Sequence, residues 1–324
     1  MREKIYHALL NNKNEYISGQ VLSQKLGISR AAISKHILAL RSEGAIIDSK
    51  KNNGHKLISP PDRLKKDYVL SPNNNKISTY KWFETIGSTN DALKKVADDL
   101  DEISLYVSEE QTSGKGRRGR DWASQKYNGI YISILLKPKI TIEQAFQITC
   151  VISLALVNTI TKTLDLNAKI KWPNDIVIGD KKVCGTLTEL SSDFDGVNYM
   201  VCGMGINANQ SSSDFPEEFL DKATSLFIES GIKVERSVFL SKLIDSIVSC
   251  YEEFKKNGLE NIIGEYKKHS VVLNKEVYIL TGKNKVKGIV TDINDKGELL
   301  LQTDDGTKKI FTGEVSLRGV NGYV

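Results

Sequence analysis

Residues 114–120 read Gly114-Lys115-Gly116-Arg117-Arg118-Gly119-Arg120, and this stretch decides which α/β fold the chain can adopt. Its glycines match G-x-G-x-x-G, the fingerprint of a dinucleotide-binding fold. The surroundings argue against that fold, because basic residues fill most of the intervening positions, no helix-forming run follows, and Asp121-Trp122 continues the loop. Nor is the stretch a P-loop, which has four residues between its first glycine and Gly-Lys-Ser/Thr. A dinucleotide-binding dehydrogenase fold is therefore disfavoured.

The same loop has the composition of an anion-binding site. Glycines let backbone N–H groups close around an anion, and flanking Arg and Lys side chains add charge-assisted contacts. Four of the seven residues are cationic and repel one another when no ligand is bound. We therefore predict a loop that a highly anionic ligand orders, in preference to a merely solvated basic loop.

Two further segments have the features of a ligand site beside a sheet. In Lys171-Trp172-Pro173-Asn174-Asp175, the proline fixes the backbone at the start of a strand and the tryptophan anchors it. A lysine held in this way can neutralise a carboxylate or a phosphate. In Gly203-Met204-Gly205-Ile206-Asn207, the glycines allow a ligand to approach the end of a strand closely.

Around these segments the sequence predicts a mixed sheet. Short runs of alternating or continuous apolar residues predict strands, and one long apolar run predicts a helix that covers them. The predicted strands are 80–86, 105–109, 129–136, 175–178, 183–190 and 199–205, and the helix is 141–166. Turns with Gly and Asp separate several of the strands like hairpins, which favours a mixed sheet over a doubly wound parallel one.

The first 66 residues have the pattern of a winged helix-turn-helix. Ser18 and Ser29 are suitable N-caps for two successive helices, so the helix-turn-helix lies at about 19–38. The apolar stripe of the second helix consists of Ile33, Ile37 and Leu40. A predicted hairpin at 45–58 with an Asn-Gly turn follows this helix and forms the wing.

The positive charge of the chain is confined to this N-terminal part. Residues 1–66 hold 13 Lys and Arg against 5 Asp and Glu, whereas the remainder holds 32 against 35. Such an asymmetry indicates a polyanionic partner for the N-terminal part alone. The predicted DNA-binding residues are Ser29, Arg30, Ala31, Ser34 and Lys35 on the recognition helix and Lys50 and Lys51 on the wing. A three-helix protein-interaction module with the same geometry remains the alternative.

Length and composition indicate a multidomain globular protein. The chain has 324 residues, of which 40% are hydrophobic and 26% charged, so two or three domains are expected. No apolar run approaches the roughly 18 residues of a membrane span, and the charged start is unlike a signal peptide. We therefore expect a cytoplasmic protein without a membrane partner. The four cysteines lie far apart, which argues against a metal or disulfide site.

Five segments in this order, behind a winged helix, resemble the bacterial bifunctional biotin–protein ligases that also repress biotin genes. The matching pieces are Gly87-Ser88-Thr89-Asn90, Gln111 with residues 114–120, residues 171–175, Lys182-Val183-Cys184-Gly185 ahead of Glu189, and residues 203–207. The basic loop and K-W-P-N-D in register are highly specific, and the resemblance covers essentially the whole chain.

The resemblance implies an α+β multidomain fold. Its parts are an N-terminal winged helix-turn-helix, a central mixed-sheet α/β ligase domain related to class II aminoacyl-tRNA synthetases, and a small C-terminal SH3-like β-barrel. The corresponding bounds are 1–66 for the DNA-binding domain, 67–76 for a linker, 77–270 for the biotin- and ATP-binding domain, and 271–324 for the barrel.

The resemblance also implies an activity. The protein would activate biotin with ATP and Mg²⁺ to biotinyl-5′-AMP, with the metal held on ATP and no metal site of its own. It would then transfer biotin to a lysine of the biotin carboxyl carrier protein of acetyl-CoA carboxylase, with other biotin enzymes as further candidates. The adenylate would act as corepressor, so that a homodimer binds operator DNA and represses biotin synthesis or transport genes.

The same resemblance assigns residues to roles. The catalytic residues are Lys171 and Arg117. The biotin-binding residues are Ser88, Thr89, Asn90, Gln111, Lys115, Gly116, Arg117 and Lys171. The residues of the ATP or adenylate loop are Gly114, Arg118, Arg120 and Asn207. Family members often have Arg at the position of Lys115, and a lysine lacks the bidentate fork, so Lys115 is the weaker phosphate clamp. Residues 209–225 match least, and their adenine contacts stay unassigned.

Two other functions remain open at this point. The chain would be a biotin-sensing transcription factor with weak or no ligase activity if its cleft bound biotin without activating it. It would be a ligase for a related acid such as lipoate if the pocket accepted a different ring system.

Overall fold

The computed structural model describes residues 1–12, 15–71, 74–281, 284–311 and 315–319. The chain forms two compact units, of which the first contains residues 1–76 together with 235–241. The second contains residues 77–234 and 242–324. These units differ from the predicted domain bounds, because the first continues past residue 66 and includes a short segment from far along the chain.

The first unit contains the predicted helix-turn-helix and wing. Its elements are α1 (Arg2–Asn11), α2 (Gly19–Leu26), α3 (Arg30–Ser42), β1 (Ile46–Lys50), β2 (Gly54–Ser59) and α4 (Lys66–Val69). Ser18 caps α2 by accepting a hydrogen bond from Val21 N, and Ser29 caps α3 by accepting one from Ala32 N. Both predicted caps are thus confirmed.

One apolar cluster holds this unit together. The stripe of α3 is buried as predicted, because Ile33, Ile37 and Leu40 are each at most 1% exposed. They pack with Ile5 and Leu9 of α1 and with side chains from α2 and the hairpin. Burying an aliphatic side chain of this size contributes roughly 1.5–3 kcal/mol, so the stripe sets the orientation of α3.

The predicted linker at 67–76 begins too early. Residues Lys66–Val69 form α4, and Tyr68 packs edge-on against Tyr6 with ring centroids 5.1 Å apart. Tyr68 belongs to the apolar cluster of the first unit, so an aromatic anchor ties this segment down. The polar residues that suggest a linker begin only at Ser71, and Pro72 and Asn73 lie outside the described residues.

The second unit is built on a seven-stranded mixed sheet in the order β3-β4-β5-β9-β8-β7-β6. The strands are β3 (Thr79–Phe83), β4 (Ser104–Ser108), β5 (Gly129–Leu136), β6 (Ala168–Lys171), β7 (Asp175–Ile178), β8 (Lys181–Asp193) and β9 (Gly196–Asn207). Strands β3 and β4 are parallel and the other neighbours are antiparallel. The predicted mixed sheet is confirmed, and β6 is a strand that the sequence pattern did not predict.

The chain also contains helices after β3, and the long apolar helix among them packs against the sheet. They are α5 (Thr89–Lys94), α6 (Ala145–Leu164), α7 (Leu226–Ser230), α8 (Arg236–Asn257, whose first six residues belong to the first unit) and α9 (Glu260–His269). A 3-10 turn at Ile142–Gln144 starts the long apolar segment of α6. The combined segment Ile142–Leu164 is long and apolar enough to cross a membrane, but 83% of its most apolar stretch is buried inside the protein. Such burial is typical of a core helix.

A C-terminal antiparallel sheet completes the second unit. Its strands are β10 (Glu276–Thr281), β11 (Asn284–Ile293), β12 (Leu299–Thr303), β13 (Gly306–Ile310) and β14 (Val315–Gly319), in the order β13-β12-β11-β10-β14. The turn before β12 contacts the residue that follows β6, since Trp172 Nε1 donates to Gly297 O at 3.1 Å. Trp172 is 1% exposed, so the predicted anchoring role of this residue is confirmed.

Candidate functional site

A cleft opens on the seven-stranded sheet between α5, the basic loop and strands β5, β8 and β9. Its lining consists of Ser88, Thr89, Asn90, Gln111, Lys115, Gly116, Arg117, Trp122, Ile132, Asn174, Lys182, Gly185, Thr186, Leu187, Gly203, Met204 and Gly205. Residues from all five matching segments therefore meet at one place, although more than 110 positions separate the first from the last.

The start of α5 supplies the polar floor of the cleft. Ser88 caps the helix, with its Oγ 3.4 Å from Asp91 N, and also lines the cleft, so capping and ligand contact are compatible. Thr89 N donates to Gln111 Oε1 at 2.8 Å. Gln111 Nε2 in turn donates to Ser124 Oγ at 3.0 Å, which fixes the orientation of this amide.

Asn90 lies deeper, where it joins α5 to the sheet. Its Nδ2 atom is 2.8 Å from Glu189 Oε2 and 3.3 Å from Leu187 O, and its Oδ1 atom is 2.5 Å from Ser133 Oγ. Gly203 makes this approach possible, because a Cβ atom there would lie 2.2 Å from Asn90 Oδ1. The glycine in this strand therefore serves the packing of Asn90, in addition to any approach of a ligand.

The basic loop is a short hairpin-like turn. Trp122 N donates to Gly114 O at 2.9 Å and Gly116 N donates to Arg120 O at 2.7 Å. Gly114 is buried, and a Cβ atom there would lie 2.5 Å from Trp122 O. Arg118 and Gly119 both have left-handed backbone conformations, with φ of 61° and 68°. The glycine spacing thus has a local structural cause as well as a chemical one.

The cations of this loop have different surroundings. Lys115 Nζ forms an ion pair with Asp91 Oδ2 at 2.6 Å, and Arg117 Nη1 donates to Asn174 Oδ1 at 3.1 Å. Burial lowers the pKa of the Arg117 guanidinium, since the charged form loses water. Arg118 and Arg120 are exposed and do not reach the cleft lining.

Lys171 lies buried beside the cleft residues and not in the cleft lining. It is 2% exposed at the end of β6 and is absent from the cleft lining within the described part of the chain. Burial lowers the pKa of its ammonium to about 7, opposed by Asp175 and reinforced by the neighbouring cations Arg318, Lys182 and Arg120. Direct contact with a ligand in the cleft is therefore not supported for Lys171, because the tryptophan anchor buries this end of the strand.

Lys182 is the cation that does line the cleft from the sheet. Its Nζ atom lies 2.6 Å from Asp175 Oδ1 and 5.1 Å above the centre of the Trp122 ring. The sequence comparison with the ligases included Lys182 in a matching segment but assigned it no role. The available signal was its position one residue before the predicted strand 183–190, and the structure extends this strand to include Lys182 beside β7.

Trp122 and Asn174 are further lining residues that the sequence did not single out. The Trp122 ring lies on the sheet at two glycines, since a Cβ atom at Gly205 would be 2.3 Å from Trp122 Nε1 and one at Gly185 3.1 Å from Trp122 Cζ3. These glycines therefore admit an aromatic side chain from the basic loop. Asn207 lies outside the lining, where its Nδ2 donates to Thr224 O at 3.0 Å.

The predicted DNA-binding residues form a separate exposed surface on the first unit. Ser29, Arg30, Ala31, Ser34 and Lys35 are exposed on or before α3, and Lys50 and Lys51 are exposed on the hairpin. Arg41 braces the hairpin against α3, because its guanidinium donates to Ile47 O at 2.6 Å and Ser49 Oγ at 2.8 Å. The surface combines small and basic side chains, as a recognition helix and wing require.

Comparisons with known families divide the chain into three parts. Residues 82–207 match the biotin/lipoate A/B protein ligase family, and residues 2–56 match a helix-turn-helix domain. Residues 272–318 match the biotin protein ligase C-terminal domain. The first match contains the whole cleft lining.

Relatives match over nearly the whole length of the chain. The bifunctional ligase/repressor BirA of Bacillus spizizenii is 33% identical over 320 residues, which cover 98% of each chain. The BirA of Escherichia coli is 30% identical over 311 residues, which cover 96% of this chain and 95% of that one. Among solved structures, the biotin protein ligase from Aquifex aeolicus in complex with biotin and ATP has 32% identity and a TM-score of 0.67. That match covers 75% of this chain and 100% of the other.

Proposed function

Since the chain belongs to the family of the bifunctional ligase/repressor BirA, we infer that it is a biotin–protein ligase that also represses transcription. It activates biotin with ATP to biotinyl-5′-AMP and transfers biotin to a lysine of a carrier protein. The observation that carries this function is the cleft, in which a polar floor for a ring system meets three cations of two different segments.

The first half-reaction brings one anion against another. An oxygen of the biotin carboxylate attacks the α-phosphorus of ATP, a new P–O bond forms, and pyrophosphate leaves with the electron pair of the broken bond. Charge repulsion is the main obstacle, and cations placed before the reaction lower it. A carboxylate is already a nucleophile at neutral pH, so this step needs no general base.

Arg117 and Lys182 are the side chains best placed to meet this obstacle. They reach the cleft from the basic loop and from β8, and Asn174 and Asp175 hold them there. Lys171 acts from behind as a positioning residue through its field on Asp175 and Lys182. Lys115 contributes when an anion draws it away from Asp91, because this half-exposed pair is weak.

The floor of the cleft binds the ring system of biotin. Ser88, Thr89 and Gln111 present hydroxyl and amide groups to it, and a ureido group needs such partners in a largely enclosed pocket. Gly116 offers its backbone at the carboxylate end. Gly114 shapes the loop from inside, whereas Arg118, Arg120 and Asn207 take part in nucleotide binding only after the loop or the ligand rearranges.

The Mg²⁺ ion belongs to ATP in this account. Among the described residues no group of three or more His, Cys, Asp or Glu side chains has the arrangement of a metal site. The ion would be held by the phosphate oxygens, where it neutralises part of their charge. The residues of the cleft would then bind the metal–nucleotide complex and not the metal alone.

The second half-reaction transfers biotin to protein. The neutral ε-amine of the acceptor lysine attacks the acyl carbon of the anhydride, an amide forms, and AMP leaves with the electron pair of the C–O bond. The acceptor is the biotin carboxyl carrier protein of acetyl-CoA carboxylase, with other biotin enzymes as further acceptors. Both substrates place the protein in the cytoplasm.

Repression uses the exposed surface of the first unit. The recognition residues of α3 and the wing lysines contact operator DNA, and the adenylate is the corepressor. A homodimer that forms when the adenylate is bound would present two such surfaces to a two-fold operator. The matched helix-turn-helix domain supports the DNA contact, and the charge asymmetry of the chain supports its location.

A lipoate ligase is the second candidate, because the family matched by residues 82–207 includes lipoate ligases. The match of residues 272–318 to a biotin protein ligase domain favours biotin. Isothermal titration with each acid, followed by pyrophosphate release with ATP, separates the two. Biotin-dependent pyrophosphate release is the expected result, whereas release with lipoate alone would reverse the assignment.

A further inference from the structure

We propose that Glu189 is a positioning residue that sets the direction of the hydrogen bonds beneath the cleft and makes Thr89 an acceptor toward the ligand. This inference rests on the proposed biotin site. Glu189 lies on β8, two residues beyond the lining residue Leu187, and is separated from the cleft by Asn90.

The side-chain amide of Asn90 has only one favourable orientation. Its Nδ2 atom faces Glu189 Oε2 at 2.8 Å and Leu187 O at 3.3 Å, and both oxygens can only accept hydrogen bonds. A flipped amide would set its own oxygen against the carboxylate, which no proton could bridge. The Asn90 Oδ1 atom therefore faces Ser133, in the space that Gly203 leaves.

The orientation of Asn90 determines where the hydroxyl protons lie. Ser133 Oγ is 2.5 Å from Asn90 Oδ1 and 2.7 Å from Thr89 Oγ1. A hydroxyl has one proton and an amide oxygen has none, so Ser133 donates to Asn90. The short contact between Ser133 and Thr89 then requires the proton of Thr89. Ser133 is 0% exposed, so bulk water cannot replace either bond.

Thr89 consequently offers only lone pairs to the cleft. Gln111 Oε1 also lies 3.1 Å from Thr89 Oγ1, but it already accepts a hydrogen bond from Thr89 N at 2.8 Å, so the hydroxyl proton goes to the shorter contact with Ser133 at 2.7 Å. A ligand that presents an N–H at this position is accepted, whereas a ligand with an acceptor there is opposed. The ring ureide of biotin carries N–H groups, and the dithiolane ring of lipoate carries none.

A second contact holds the Glu189 carboxylate in place. Lys94 Nζ lies 2.5 Å from Glu189 Oε1 and 3.3 Å from Asp91 Oδ1, and this leaves Glu189 Oε2 for Asn90. The two oxygens of one carboxylate thus have separate partners. Removing the carboxylate frees the Asn90 amide to turn, after which Ser133 can donate to Thr89 and the chain of hydroxyls can reverse.

The test compares biotin KM with kcat for biotin-dependent pyrophosphate release. For Glu189→Leu we expect KM to rise about tenfold, the equivalent of one net hydrogen bond, with kcat within about twofold. Glu189→Gln keeps an oxygen for Asn90 while Lys94 retains Asp91, so KM should stay within about threefold. Thr188→Val is the matched control, because Thr188 lies on the same strand and bonds Thr149 Oγ1 at 3.0 Å instead.

A second variant tests the relay without changing charge. Ser133→Ala should raise KM about as much as Glu189→Leu, since Thr89 then loses its acceptor at Ser133 and its proton can turn toward the ligand. The double variant should raise KM no more than the single variant with the larger increase, because both substitutions break the same series of hydrogen bonds. If the two substitutions acted independently, their increases in KM would multiply, and that result would overturn the proposal. Circular dichroism identifies a variant that does not fold, and Ser133→Ala then decides alone.

The outcomes separate this inference from the proposed function. Wild-type protein that releases pyrophosphate with biotin, beside a Glu189→Leu variant with unchanged KM, contradicts only the role of Glu189. Wild-type protein that releases none with biotin contradicts the ligase function itself. Direct titration with biotin then still tests Glu189, since the tenfold loss applies to binding.

Discussion

Arg117 combines the two properties that an anion-binding side chain needs in an enclosed site. It is half-buried at the edge of the cleft, so its attraction for an anion is less screened than that of Arg118 or Arg120. An arginine also keeps its charge under such burial, because its ordinary pKa is far above neutral. Among the four cations of the basic loop, Arg117 is therefore the one we expect to hold the adenylate.

Replacing Arg117 with glycine should shorten the lifetime of the adenylate complex. A charge-assisted hydrogen bond contributes about 1.5–3 kcal/mol, so release should accelerate roughly 10- to 100-fold. Stopped-flow dissociation of preformed biotinyl-5′-AMP measures this rate. Lys139→Gly serves as the control and should change the rate little, because Lys139 is an exposed cation outside the cleft lining. An Arg117 variant with the wild-type rate would refute the assignment.

Lys171 should make the stability of the protein depend on pH. Its pKa in the folded protein is about 7 because burial disfavours the charged form, against an ordinary value of 10.5. Between these two pKa values the unfolded chain binds more protons than the folded protein. The free energy of unfolding therefore increases as pH rises from 7 to 10.5 and decreases as pH is lowered through the same range. Lys171→Met removes this contribution.

Urea unfolding of the wild type and of Lys171→Met at pH 6.5 to 10 measures the effect. The wild type should lose stability relative to the variant as pH falls through the window. A difference between the two proteins that stays constant with pH would contradict the role of burial at this residue.

At the scale of elements, the register of β5, β8 and β9 assembles the site. Ser133 of β5 pairs with Gly203 of β9, and Gly203 pairs with Leu187 of β8, so three strands meet directly under Asn90. Helix α5 lies on this point because the glycine leaves room for the amide. The floor of the cleft is therefore a property of strand pairing and not of one segment.

Gly203→Ala should disturb this packing. Its Cβ atom would lie 2.2 Å from Asn90 Oδ1, so Asn90 must move, and we expect a loss of roughly 1–3 kcal/mol in stability together with weaker biotin binding. Gly264→Ala is the matched control. Gly264 lies inside α9 with open space around it, so alanine should stabilise the protein by about 0.5–1 kcal/mol. Thermal unfolding should show a lower melting temperature for Gly203→Ala and a higher one for Gly264→Ala. A destabilised Gly264 variant beside an unaffected Gly203 variant would contradict this expectation.

Elements with a local signature were predictable from the sequence. Ser18 and Ser29 cap helices through their own neighbours, and the strand at 129–136 has a period of two within eight residues. The first turn of the long apolar helix and the strand Ala168–Lys171 were not predicted in this form, because tertiary packing decides them.

The site was predictable only in part for the same reason. Ser88, Thr89 and Gln111 were found through segments that resemble a family, but Ser133 and Trp122 carry no local mark of a role. Lys182 lines the cleft because β8 pairs with β7 in a register that the periodicity of the sequence does not reveal. Pairing across distant segments was the missing information.

At the scale of the whole molecule, the chain combines a DNA-binding unit with a ligase unit. One ligand, the adenylate, is a product of the second unit and the proposed signal for the first. A ligand that binds the proposed DNA-binding dimer more tightly than the monomer shifts the population toward the dimer. The size of the shift is limited by the difference between the ligand's affinities for these two states. In the proposed regulation, transfer of biotin to the carrier would consume this ligand and relieve repression.

DNA binding should therefore depend on both substrates together. A duplex selected from a random library with protein, biotin and ATP present is the probe, and fluorescence anisotropy measures its affinity. We expect at least a tenfold tightening with biotin plus ATP and little change with either alone. Equal affinity under all four conditions would argue against the adenylate as corepressor, while leaving the ligase activity untouched.

The activity assigned to the cleft is the activation of biotin and its transfer to a protein lysine. The most direct measurement is the incorporation of labelled biotin into a purified biotin carboxyl carrier domain in the presence of ATP and Mg²⁺. We predict ATP-dependent labelling up to one biotin per carrier, none on a carrier whose target lysine is arginine, and a strong loss with Lys182→Ala. A wild-type protein that binds biotin but labels no carrier would contradict the claim and leave a biotin sensor in its place.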